Sequence, residues 1–138
     1  MYSHHHVILT LHPSNEEAQK VLQDPSNRHL ICKAGPDGRH GSGSSVLCLA
    51  LDRAPKGKRQ HYVIGRGIDA DTILKRQSCS LRHCLISVCA KRYVPMLHEQ
   101  STNGTLVDGQ HCNNQVLEIR DNMEIDIAGV QFNVQIPW

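Results

Sequence analysis

Two runs late in the 138-residue chain alternate apolar and polar residues without a break, and together they constrain the fold more than any other feature. Glu124-Ile125-Asp126-Ile127 and Val130-Gln131-Phe132-Asn133-Val134-Gln135-Ile136 flank the dipeptide Ala128-Gly129. Side chains on an extended strand point to opposite faces in turn. A period of two on both sides of a turn therefore describes a hairpin with one buried face.

Shorter runs upstream carry the same signal. Val46 to Leu51 is one, ended by Ala54-Pro55, and His61-Tyr62-Val63-Ile64 leads straight into Gly65-Arg66. Thr72-Ile73-Leu74 is brief, and Cys84 to Cys89 is longer and largely apolar. Tyr93 to Leu97 is interrupted by Pro95, which cannot donate to a ladder and so predicts an edge strand or a bulge. Leu106-Val107 and Val116-Leu117 are small pieces. Many short strands separated by turn signals read as an all-β sandwich, and no repeat of fixed period is present.

The first third reads differently. Val7 to Leu11 is a short β-branched run, expected to be the first strand, with Pro13 at its end. Ser14 and Glu17 have the spacing of a capping box, and Ala18, Val21 and Leu22 fall on one face of the helix it would start. Asp24-Pro25 stops that helix, and Gly35 to Ser45 is a Gly/Ser-rich loop. The whole chain, 1–138, is expected to be one domain. Its core spans about 46–136, and 12–45 form a helix-and-loop insertion between the first two strands. The alternative is that residues before about 45 form a separate extension.

Composition narrows the function. A net charge of +2 and 4% aromatic residues give neither a basic field nor stacking platforms for nucleic acid. Lys56-Gly57-Lys58-Arg59 is read as a solvated loop. No apolar run has membrane length, and no signal peptide is apparent. His4-His5-His6 is set aside from the fold reading. The six cysteines are expected to be reduced thiols in a nuclear or cytoplasmic protein, and the sequon Asn103-Gly104-Thr105 to be accidental.

Three separated motifs converge on one chemistry. Arg66 follows a strand end, Ser80-Leu81-Arg82-His83 stands before the Cys84 strand, and Ser101 to Gly109 holds Thr102-Asn103-Gly104. A phosphothreonine brings about −1.5 to −2 charges and three strong acceptors. Arginine meets it with a planar, permanently charged fork, and hydroxyls add charge-assisted bonds. Each residue also has a plainer role open to it. Arg66 can pair with Asp69 or Asp71, Ser80 and Thr102 can cap turns, and Asn103-Gly104 suits a tight turn.

In this order and spacing, over about 46–136, the motifs resemble the forkhead-associated (FHA) domain, a family of phosphothreonine-peptide readers. The resemblance implies a sandwich of about eleven mostly antiparallel strands. It implies that the residues matching Arg66, Ser80 and Thr102 contact the phosphate or the peptide beside it. The match to Asn103 bonds the peptide main chain, using an amide that both donates and accepts. The match to His83 is a buried structural pin, and Gly65, Gly104 and Gly109 serve backbone geometry.

Two positions depart from the family pattern. The residue after Ser80, often Lys, Arg or Asn and in touch with phosphate, is Leu81, which offers no polar contact. Arg82 follows; it either reaches the phosphate or, in an extended segment, faces away. Leu81 and Arg82 complete the candidate set. The late turn, usually Gly-Asp, is Asn122-Met123, and Asn tolerates the left-handed backbone such a turn uses.

A rival reading rests on Cys79, Cys84 and Cys89 around His83. Their spacing lacks close Cys-x-x-Cys pairs, and Cys84 and Cys89 fall on opposite strand faces. No metal, cofactor or catalysis is expected. The resemblance implies a phosphothreonine-containing protein partner, and the composition leads to the expectation of no nucleic acid or membrane partner. The resemblance also implies attachment to a kinase or other effector in DNA-damage or cell-cycle signalling. The alternative is a phosphate-independent scaffold or dimerisation module with a degenerate cradle.

Overall fold

The computed structural model describes residues 6–33, 45–52, 61–89 and 94–136. Several expectations fall outside them: the roles of His4 and His5, the loop from Gly35 to Gly43 and Ser44, the Ala54-Pro55 stop, the Lys56 to Arg59 cluster and the strand start at Tyr93. The side chain of Cys89 also lies outside the described residues.

Twelve strands are described: β1 His6–Pro13, β2 Ile31–Lys33, β3 Ser45–Asp52, β4 His61–Gly65, β5 Thr72–Ile73, β6 Cys84–Cys89, β7 Val94–Glu99, β8 Thr105–Val107, β9 Gln110–Cys112, β10 Val116–Glu118, β11 Met123–Ile127 and β12 Val130–Gln135. One sheet runs β2-β3-β1-β12-β11-β8-β9, the other β10-β7-β6-β4-β5. The fold is thus the expected all-β sandwich. All pairs are antiparallel except β4 with β5, which is parallel.

The C-terminal hairpin is built as its alternation predicts. Ile125 faces Phe132, and Ile127 faces Val130, all buried. Ala128 and Gly129 both take positive φ, 53° and 88°, the backbone of a type I′ turn whose twist matches that of the strands. Asn122 takes φ 67°, so the Asn-Met turn does use the left-handed conformation. Leu9, Leu11, Leu47, Leu49, Ile64, Ile86, Leu97, Ile127 and Phe132 fill the space between the sheets with almost no exposure.

Three expectations need correction. Helix α1 spans Glu16–Gln23 and is capped by Asn15, not by a Ser14–Glu17 box. Asn15 Oδ1 accepts from Ala18 N at 3.0 Å and from Gln131 N at 3.2 Å, while its Nδ2 donates to Gly129 O at 3.0 Å. Asn15 therefore caps the helix and docks it on the β11–β12 turn at once, which the serine side chain cannot match. Pro95 does not mark an edge, since β7 lies between β6 and β10. Strand β10 stops pairing at Met96, so the missing N–H of Pro95 falls past its end, while Pro95 O still accepts from Ile119 N at 2.9 Å. Finally, 12–45 contribute more than a helix and a loop: β2 pairs with β3, and a 3-10 turn covers Pro25–Leu30.

That 3-10 turn reaches the other sheet. Buried Asn27 donates to Ile73 O at 3.0 Å and accepts from Ile73 N at 2.7 Å, imitating a strand partner for the edge of β5. Arg76, two residues past β5's neighbour Leu74, donates to Ala128 O at 2.7 Å and pairs with Glu17 at 2.8 Å. The N-terminal segment thereby bonds β5 through Asn27 and the start of the β5–β6 loop through Glu17.

Candidate functional site

Strand β4 delivers Arg66 to one end of the sandwich. Arg66 N donates to Ser80 O at 2.9 Å and Gly67 N to Leu81 O at 3.1 Å, so the two loop segments run against each other beyond the sheet. Gly65 permits that approach. A Cβ there would lie 2.1 Å from Leu81 O, closer than any real contact.

His83 pins the next connection. It is fully buried; its Nδ1 accepts from Ser80 N at 3.1 Å, and its Nε2 donates to Gly104 O at 3.0 Å. Only the neutral ring with hydrogen on Nε2 makes both bonds. Burial lowers its pKa from the ordinary 6.5, against the opposing pull of the Gly104 carbonyl and Glu99.

Buried Glu99 organises the third loop. Its carboxylate accepts from Ser101 N and Ser101 Oγ, from Thr105 Oγ1 at 2.9 Å and from Asn114 N at 2.9 Å. Ser101 Oγ in turn accepts from Gly104 N at 2.7 Å. Gly104 has φ 87°, and a Cβ on it would meet the His111 ring at 2.2 Å. The chain therefore turns sharply at Asn103-Gly104 and presents Thr102 and Asn103 outward.

Across the gap, Thr102 N donates to Ser80 Oγ at 3.0 Å and Asn103 Nδ2 to Ser78 O at 3.2 Å. The result is an open cleft of about 370 Å³ lined by Arg66, Gln77, Ser78, Cys79, Ser80, Leu81, Thr102 and Asn103. Among the described residues Arg66 is its one charged lining residue. Its Nε donates to Cys79 O at 2.9 Å, which fixes the plane of the fork and leaves the terminal nitrogens to the cleft. Among the described residues no carboxylate pairs with Arg66; Asp71 Oδ2 accepts instead from Val63 N at 2.8 Å. Ser80 Oγ, having accepted from Thr102 N, keeps its own hydrogen to donate.

The fold thus brings together Arg66, Ser80, Leu81, Thr102 and Asn103 around one cleft, with Gly65, His83 and Gly104 as its frame. Gly109 takes φ 84° in the β8–β9 turn, outside this cleft. Arg82 is exposed and does not line the cleft. Two parts of the frame were not foreseen: Glu99 and the Cys79 carbonyl. The first had a readable signal, since Glu99 falls in phase with inward-facing Pro95 and Leu97 on β7. The second had none, because a backbone acceptor has no residue type.

The thiols near the cleft are structural in their surroundings. Burial raises the Cys79 thiol to about 11 and that of Cys84 to about 12, so both stay protonated. Donor atoms of His83, Cys84 and Glu99 lie within 4.8 Å of one another, yet His83 and Glu99 already spend theirs on the loops. A metal takes thiolate, which this buried sulfur resists forming.

A β-sandwich that gathers three loops around an arginine with no carboxylate partner among the described residues is the class of protein this geometry defines. Residues 62–128 match the family model of the FHA domain. Among curated proteins none matches the chain in sequence. Solved structures do. An FHA domain studied for phosphothreonine-dependent interactions is 22% identical, with 95% of this chain and 98% of that one covered and a TM-score of 0.58. The N-terminal FHA domain of S. cerevisiae Rad53p, solved with a phosphothreonine peptide, is 23% identical over 67% of this chain and 84% of that one, with a TM-score of 0.59. Rad53 1–466 bound to AMP-PNP is 24% identical over 67% of this chain and 27% of that longer one, with a TM-score of 0.58.

Proposed function

We propose that the chain is a phosphopeptide-binding interaction module that reads phosphothreonine in a protein partner without altering it. One observation carries the reading: among the described residues Arg66 is the only charged one lining the cleft, and it is oriented through Nε by a backbone carbonyl, with Ser80 and Thr102 lining the same cleft. A phosphate dianion there meets a guanidinium and hydroxyl donors, each such bond worth roughly 1.5–3 kcal/mol. Asn103 exchanges its bond to Ser78 O for the ligand's main chain. The FHA domains that were solved with, or studied for, phosphothreonine ligands support the same chemistry.

The finer roles belong to the same proposal. Leu81 touches the ligand without a polar bond, and Arg82 acts as a neighbouring charge rather than a cleft contact. The domain serves as a module of a larger nuclear or cytoplasmic signalling protein, such as a kinase acting in DNA-damage or cell-cycle control. Leu81 favours one second reading, a scaffold that binds proteins without phosphate. Calorimetric titration of a phosphothreonine peptide library and its unphosphorylated twin into wild type and Arg66→Ala separates the two. Binding only of the phosphorylated set, lost with Arg66→Ala, is expected. Equal binding of both sets rules out the reader.

A further inference from the structure

Among the described residues four large hydrophobic side chains are exposed, and two of them, Ile68 at 95% and Leu81 at 56%, sit on the two loops that hold Arg66. They are not scattered. Ala70 N donates to Gly67 O at 3.1 Å, which places Ile68 at the tip of a four-residue turn. That turn leans on Leu81: Gly67 N donates to Leu81 O, and a Cβ on Gly67 would lie 3.7 Å from Leu81 Cβ. Leu81 itself lines the cleft beside Ser80.

Ile68 gains almost nothing from burial in the fold, and Leu81 leaves more than half of its surface in water. Neither helps a phosphate, which gains nothing from apolar neighbours and loses hydration to them. Turn tips ordinarily carry polar residues or glycine, so an almost wholly exposed isoleucine at this tip stands against local preference. The apolar area the pair still exposes is available for a ligand to cover.

We infer that Ile68 and Leu81 form an apolar shelf beside the phosphate cleft that selects phosphothreonine peptides with an aliphatic side chain close to the phosphorylated residue. This rests on the phosphopeptide reading proposed above. The shelf replaces lost polar grip with apolar contact: affinity that a polar residue after Ser80 would draw from the phosphate comes here from the ligand's neighbouring residue. Ligands with a carboxylate or ammonium at that place are disfavoured, because the shelf desolvates the charge and returns no partner.

The test uses synthetic peptides with a central phosphothreonine in an Ala/Gly background. A single Leu is moved through the flanking positions, with a matching series carrying Glu and another carrying Lys. At one or two positions Leu is expected to bind roughly tenfold more tightly than Glu or Lys. Ile68→Ser and Leu81→Ser each reduce that preference, and the double variant abolishes it; both sites are exposed, and unchanged thermal unfolding confirms the fold. Phosphate-dependent binding with no Leu advantage, or an advantage that survives in the double variant, overturns the shelf and leaves the phosphopeptide reading standing. Binding that ignores the phosphate and Arg66→Ala overturns both.

Discussion

Two clefts lined by described residues invite comparison, and the larger of them is the poorer candidate. One, of about 440 Å³, opens between the edges of the two sheets and is lined by Val107, Asp108, Gln110, Cys112, Leu117, Glu118, Arg120 and Met123. The other is the loop-end cleft of about 370 Å³. The larger carries two carboxylates against one guanidinium, and Asp108 already accepts from Glu124 N at 2.8 Å. Among the described residues lining the smaller, the one charged group is a guanidinium. An anion is repelled by the first set and met by the second. Charge and bonding state, not volume, tell the clefts apart.

The largest effect should separate their glycines. Gly65→Ala forces a Cβ into Leu81 O and should cost about 3 kcal/mol of stability in urea unfolding. Gly109→Ala in the turn beside the larger cleft meets nothing within 4 Å and should cost only about 1 kcal/mol, the penalty of its left-handed backbone. Equal costs would mean that the close approach of the Arg66 and Leu81 loops is not what the fold requires.

The arginines come next. Arg66→Ala should weaken phosphopeptide binding by about 2 kcal/mol, roughly thirtyfold, in a calorimetric titration. Arg120→Ala should change it less than about twofold, as a charge outside the contact usually does. Comparable losses from the two would move the ligand or spread it over both clefts.

Glu99→Gln tests the frame. The amide offers one acceptor oxygen where four donors now converge, so about 2 kcal/mol of stability should be lost. Hydrogen exchange should quicken at Gly104 and Asn114 and stay slow at Ile125 on the far hairpin. Uniform acceleration would show that Glu99 supports the whole sandwich rather than the loop end.

The smallest effect is electrostatic. His83 has a folded pKa below its ordinary 6.5, so stability is complete above pH 6.5. As pH falls below that value the unfolded chain takes up a proton that the fold refuses, and stability declines until His83 protonates in the fold. The stability gap between wild type and His83→Asn should therefore narrow from pH 7 to pH 5.5 in thermal unfolding. A widening gap would reverse the sign and place a charged ring in the core.

The two clefts also differ in how far they could be read from the sequence. That Arg66, Ser80, Thr102 and Asn103 meet around one cleft was legible from the ordered set of motifs that resembles the FHA family, not from any one of them. The alternation of Glu124 to Ile127 and Val130 to Ile136 exposed the hairpin. Strands β2 and β9 were not legible, and β9 shows why. Gln110-His111-Cys112 has one buried residue in three, and its extension comes from pairing with β8. The helix cap was misread because Asn15 answers to the distant Gly129 and Gln131 as well as to its own helix. Pro95 was misread because an edge is defined by where β10 ends, not by the proline. Local chemistry was visible; what depended on a remote partner was not.

The most direct test of the central claim follows backbone amides in ¹⁵N–¹H spectra during addition of a phosphothreonine peptide. Signals of Arg66, Ser80, Thr102 and Asn103 should shift on binding, with those of Asp108 and Arg120 nearly still, and the unphosphorylated peptide should move none of them. Shifts centred on Asp108 and Arg120, or the same pattern with either peptide, would contradict a phosphate site at the loop end.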